Sequence, residues 1–124
     1  MNQLSFYKHV DEKEIRPFVI EELRKYKVLQ IRFQNENERK KLGAELLFCE
    51  LKQIDKHEIK YKQLKRAFEQ ALDEDEQRIL DMKYMGVKDL NDDYIYPVLG
   101  MKRDKFYKKK KSAIVNLAMA LGMI

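Results

Sequence analysis

Cysteine occurs once in these 124 residues, at Cys49; tryptophan is absent and histidine occurs twice. A single cysteine excludes an internal disulfide and any thiolate zinc site within the chain. In the apolar run LLFCEL it reads as a small core residue. His9 and His57 lie far apart, and neither has a partner at metal-ligand or triad spacing, so an enzyme is not expected. The DEDE run at 73–76 reads as a capped, solvated helix start in preference to a metal site. Four scattered glycines provide no phosphate-cradling loop. With only two prolines as well, the chain lacks the breakers that an all-β fold needs for its many tight turns. No apolar run approaches the length of a membrane span. The first residues, MNQLSFYKHVDEKEI, lack the charged start and apolar stretch of a signal peptide. The expectation is a cytoplasmic, all-α protein without metal, cofactor or membrane association.

Charge is what the chain has in abundance. Charged residues make up 38% and hydrophobic residues 44%, enough apolar material for a core together with the ionic content of long solvated helices. The formal net charge is +5. Between Gly100 and Ile124, seven basic residues (Lys102, Arg103, Lys105, Lys108, Lys109, Lys110 and Lys111) face a single acid, Asp104. That stretch is therefore +6, and residues 1–99 sum to −1. Cations gathered at one end attract a polyanion to one face. The alternative is a solubilising surface, but the charge coincides with a turn motif, which favours nucleic acid.

Residues 1–10 carry little signal and read as a loose arm. Asp11 to about Leu29 reads as helix, with Ile15, Val19, Leu23 and Tyr26 on one face. Asp11, Glu12 and Glu14 crowd its start, where the helix dipole favours acids. Pro17 implies either a start near Arg16 or a kink. The polar run QNENER, 34–39, reads as a break. From about Glu38 to Leu72, Leu47, Leu51, Ile54, Tyr61, Leu64, Phe68 and Ala71 recur at threes and fours. This fits one long helix, or two broken near Asp55-Lys56-His57. The stripe suits a coiled-coil-like seam or simple packing on the first helix. Asp73 and Glu76 have capping-box spacing. They open a helix with Ile79, Leu80, Met82 and Tyr84 at its apolar positions and Gly86 as its stop. Asp92 or Asp93 then caps a short helix through Leu99. The natural division is at 72. Residues 1–72 form an N-terminal helical region for packing or dimerisation, and 73–124 form a DNA-binding unit.

The segment IYPVLGMKRDKFYKKKK, 95–111, carries the functional signal. It reads as a short helix, a turn opened by Gly100, and a second helix from about Arg103 to Leu121. That is the layout of a helix-turn-helix, which sets a basic helix in the DNA major groove. Ile95, Leu99, Met101 and Phe106 supply the small core where the helices cross. Ala113, Ile114, Leu117 and Leu121 continue the Phe106 face. Tyr96 stands where such motifs usually hold a small residue, and Pro97 removes a backbone hydrogen bond. Lys110 lies near the apolar face and is expected to extend its ammonium group to the edge. Turning the helix by about 100° per residue puts Asp104, Tyr107, Lys108 and Lys111 outward as base-edge candidates. Lys102, Lys105 and Lys109 flank them and suit phosphates, and Arg103 completes the DNA-binding set. Asp104 reads equally well as a helix cap. About five phosphate contacts imply a log–log salt slope of roughly −4.5.

These residues resemble the ArpU family, which is related to the RinA-type late-gene regulators of phages and prophages in Gram-positive bacteria. Three stretches carry the resemblance: DEDEQRILDMKYM, IYPVLGMKRDKFYKKKKSAIVNLA, and more weakly DEKEIRPFVIEELRKYKVL. The same unit is similar to the promoter-reading C-terminal domain of bacterial sigma factors, a helix-turn-helix that also touches RNA polymerase. The resemblance implies a sequence-specific transcriptional regulator, an activator of late genes. Its partners would be double-stranded DNA and host RNA polymerase, at the nucleoid of the host cell. Family members often carry serine or threonine where this chain has Lys102, Asp104 and Lys105, so helix capping and site preference do not carry over.

A homodimer is expected, formed through the N-terminal helices or the apolar tail AMALGMI. The competing reading is a helical protein-interaction module, either an RNA polymerase adaptor or a phage inhibitor of a host protein, whose lysines meet an acidic partner surface.

Overall fold

The computed structural model describes residues 10–44, 47, 48, 51 and 56–124. Residues 1–9 of the expected arm, Cys49, Ile54 and Asp55 lie outside the described residues. Among the described residues there are five α-helices and no strand: α1 Glu12–Lys41, α2 His57–Ala71, α3 Glu74–Tyr84, α4 Asp92–Val98 and α5 Arg103–Ala120. The fold is all-α, and none of these helices is long and apolar enough to cross a membrane.

Asp11 sets the start of α1. Its extended backbone (φ −85°, ψ 106°) lets the carboxylate accept the Lys13 amide at 3.0 Å, satisfying one of the donors that a helix start leaves open. The helix therefore begins at Glu12, ahead of the alternative start near Arg16. Pro17 sits inside it on an exposed position, where it removes one N–H from the backbone ladder.

The expected break at QNENER is not there, and α1 continues through it to Lys41. Asparagine and glutamate disfavour a helix only weakly, and local pairs offset them. Arg32 donates to Glu36 one turn on at 3.1 Å. The Phe33 ring packs on Tyr61 at 4.7 Å between centroids. Arg39, Lys40 and Lys41 occupy the last turn, where the dipole favours cations. The stop is Gly43, at φ +65°. From there the amides of Gly43 and Ala44 return to the carbonyls of Lys40 and Arg39, closing the helix end with a left-handed residue.

The apolar stripe read over 38–72 thus does not belong to one helix. Leu47 and Leu51 are exposed, and α2 starts at His57. Its inward side carries Leu64 and Ala67, with Tyr61 and Phe68 half-buried beside them; Ala71 is exposed. This side packs on α1 of the same chain. The Tyr26 ring lies 6.0 Å from Tyr61 and 5.6 Å from Phe68, and Lys60 pairs with Glu22 at 3.1 Å.

The capping box at the head of α3 is formed as its spacing predicts. The Glu76 amide donates to Asp73 Oδ1 at 2.8 Å, and the Asp73 amide donates to Glu76 Oε1 at 3.0 Å. Gln77 donates to the carbonyls of Glu69 and Leu72, supplying partners that the end of α2 would otherwise lack. The helix ends at Tyr84 with Met85 as its cap. Gly86 is not left-handed and so does not act as the stop assigned to it.

Two apolar clusters result. The larger joins Val19, Leu23, Tyr26 and Leu29 of α1 to Leu64 and Ala67 of α2, Leu80 of α3, and Ala113, Ile114, Leu117 and Ala118 of α5. The smaller holds Ile79, Ile95, Met101 and Phe106. Residues from both sides of position 72 share the larger cluster. Within α5, Val115 is buried together with Ala113, Ile114, Leu117 and Ala118. These five cover about 200° of the helix axis, a wider arc than the single stripe of a surface helix, so the second half of α5 is largely embedded among the other helices while Ser112 and Ala120 stay exposed.

Candidate nucleic-acid interface

The exposed basic turns of α5 are aimed by the segment before them. α4 is preceded by Asn91, whose side chain makes no cap bond, so neither Asp92 nor Asp93 is the N-cap. Asp92 is engaged elsewhere: Lys110 Nζ donates to it at 3.0 Å and Lys83 Nζ lies at 3.4 Å. Lys83 also donates to the Leu90 carbonyl at 2.8 Å, tying the loop before α4 to α3. Burial alone would raise the Asp92 carboxyl, but the bonds and charges of Lys110 and Lys83 hold it below the ordinary carboxylate range.

Between α4 and α5 the chain turns at Gly100, φ +69°. The Gly100 amide donates to the Pro97 carbonyl at 3.0 Å, and the Met101 amide to that of Tyr96 at 2.8 Å. This pair of reversed bonds is the Schellman closure of a helix. A Cβ at Gly100 would meet nothing within 4 Å, so glycine is demanded by the dihedral angle and not by space. Met101 then drops into the smaller core against Ile95 and Phe106. Phe106 is fully buried, with the half-buried Tyr96 ring at 5.9 Å.

α5 begins at Arg103 after Lys102, which is extended and makes no side-chain cap bond. Asp104 is thus not the cap. It lies exposed in the first turn, where the helix dipole favours an acid.

The seven cations divide into two groups. Lys110 is 9% exposed and bound to Asp92, with the rings of Tyr84, Phe106 and Tyr107 each 5.8–5.9 Å from its ammonium. Lys109 donates to Asp73, and Lys105 lies 3.5 Å from Asp75. Both acids belong to the head of α3. Lys102, Arg103, Lys108 and Lys111 are exposed and form no ion pair with the described residues. Tyr107 is 39% exposed, and the Arg103 guanidinium lies 5.8 Å above its ring. The structure therefore gathers Lys102, Arg103, Asp104, Tyr107, Lys108 and Lys111 on the open first turns of α5. It turns Lys105 and Lys109 toward α3.

Two groups of residues have long-range roles that the local pattern barely marks. Glu76, 5% exposed, accepts from Ser112 Oγ at 3.1 Å and Asn116 Nδ2 at 3.2 Å, bolting the head of α3 to the middle of α5. The four-residue spacing of Ser112 and Asn116 was the only hint of this. Lys13 and Arg16, at the other end of the sequence, lie across a cleft from Lys108 and Lys111. No protein-family model, curated protein or solved structure matches this chain.

Proposed function

We propose that this chain is a sequence-specific DNA-binding transcriptional regulator in which α4 and α5 act as a helix-turn-helix. It binds without carrying out covalent chemistry. The observation that carries the reading is the set of cations Lys102, Arg103, Lys108 and Lys111, unpaired among the described residues and exposed with Tyr107 at the start and on the first turns of a helix whose second half is held in the core. In this reading the groove-facing stretch is 103–111 and not the whole of 103–121, since Ala113 to Ala118 are largely enclosed. Lysine and arginine on an open helix face donate to guanine edges and to phosphates, and tyrosine meets a thymine methyl. The resemblance to the ArpU and RinA-type regulators adds the role of a phage or prophage late-gene activator in the host cytoplasm, with RNA polymerase as a second partner. Val28 and Ile31, exposed on α1, and Leu42 just past its end support a homodimer through that helix.

A salt titration of duplex binding tests the proposal. With all four of these cations on phosphates, α5 contributes about −3.6 to the log–log slope, and exchange of Lys105 from Asp75 to DNA raises that contribution to about −4.5. Lys105 is available for that exchange because exposed ion pairs contribute little. A slope near zero, or no preference for the parent genome's late promoter over competitor DNA, contradicts the proposal.

A further inference from the structure

A cleft of about 550 Å³ separates the first turns of α1 from the basic turns of α5. Its α1 wall carries Glu12, Lys13 and Arg16; its α5 wall carries Tyr107, Lys108, Lys110 and Lys111; Asp92 lies between them. Five cations thus meet two carboxylates, and both carboxylates already have partners. Glu12, 3% exposed, takes Arg16 Nε at 2.7 Å and Arg16 Nη2 through its other oxygen. Asp92 is held by Lys110 and Lys83. Asp11 and Glu14, the other acids of that first turn, do not line the cleft. The lining therefore has a net charge of +3, with Lys13, Lys108 and Lys111 unpaired among the described residues.

Arg16 is the distinctive member. A guanidinium has five N–H donors, and the fork to Glu12 takes two, leaving three. The same fork fixes the planar group in place before any ligand arrives, and preorganisation of this kind lowers the entropic cost of binding. A fixed guanidinium flanked by exposed ammonium groups suits a tetrahedral oxyanion with several acceptor oxygens.

We infer that Lys13 and Arg16 hold a backbone phosphate of the DNA strand bordering the groove occupied by the first turns of α5. This rests on the DNA-binding reading above and extends it: the N-terminal helix is part of the interface. A phosphate contact carries no sequence information, so its loss weakens binding to every duplex alike.

The test uses the whole chain with Lys13→Ala and Arg16→Gln, separately and together, and Lys62→Ala on the far helix as control. Glutamine at 16 can still donate to the buried Glu12, and thermal unfolding confirms that each variant is folded. Lys13→Ala is expected to flatten the salt slope by about 1 and weaken specific and unrelated duplexes equally, with the double variant flattening it further and Lys62→Ala changing nothing. Ethylation interference should lose one backbone phosphate in the double variant while the α5 contacts persist. Wild-type binding with a steep slope that both variants retain overturns the inference and leaves the DNA reading standing. No binding by the wild type overturns both. Equal competition by polyglutamate at matched charge, weakened to the same degree by Lys13→Ala, assigns the cleft to an acidic protein and overturns the phosphate assignment.

Discussion

Phe106 and Lys110 lie one turn apart on α5 and both are buried, for opposite reasons. Phe106 fills the smaller core with Ile79, Ile95 and Met101. Phe106→Ala is expected to cost about 3–5 kcal/mol, measurable as a lower midpoint in urea unfolding followed by circular dichroism. Lys110 is held because Asp92 and a ring of aromatic side chains receive its charge. Gly100 tests a different quantity. Gly100→Ala meets no atom but forces a Cβ into the left-handed region, so a loss of about 1–2 kcal/mol follows from the dihedral alone. The same urea experiment reads it. Both residues were legible in sequence: glycine at a turn between apolar residues, and an aromatic one helical step into a basic run, leave few alternatives. The Glu76–Ser112–Asn116 contact was not. Its partners stand 36 and 40 positions apart, and nothing in the local pattern of a polar residue identifies a distant acceptor.

Among the elements, α3 and α5 start where local chemistry places them, because a capping box and a glycine turn act over only a few residues. α1 shows the limit of that approach. Its 30 residues include a polar stretch that composition marks as a break, while the actual stop is Gly43, inside the span over which the apolar stripe reads as helix. The Phe33–Tyr61 contact, a tertiary interaction that sequence periodicity does not display, holds the helix up to the edge of that stretch. Past Phe33 no residue of α1 is buried, so its last turns depend on helix propensity and surface pairs. Amides of 34–41 should therefore exchange with deuterium faster than those of 19–29, read by peptide-resolved mass spectrometry. Equal protection would mean that a partner covers the distal turns. The candidate site was legible in its α5 half, where seven cations crowd one segment. Its α1 half was hidden, because Lys13 and Arg16 look like ordinary surface charges until the fold brings α1 beside α5.

For the whole molecule, the head of α3 and the start of α4 are linked to α5 by carboxylates that the fold keeps ionised. Burial would raise Asp73 and Asp92, but Lys109 with the Glu76 amide, and Lys110 with Lys83, hold both below their ordinary values. A carboxyl whose folded pKa lies below its unfolded one stabilises the fold fully above the unfolded value, and that stabilisation disappears as pH falls toward the folded one. The melting temperature should thus hold steady from neutrality to about pH 5 and drop on further acidification, since unfolded aspartate titrates near about 3.9. Asp92→Asn should lower the plateau and shallow the acid limb in a calorimetric pH series. The enclosed second half of α5 has a genetic implication. Because the cation-bearing end and the anchored end are one unbroken rod, its pointing direction is set by whatever grips the rod. Lesions at Val19, Leu64 or Leu80, none of them charged and none on the open face, would misalign the cation-bearing end and, under the proposed function, mimic the phenotype of a lost lysine. A screen for inactive alleles should therefore scatter across the scaffold instead of clustering on the basic stretch.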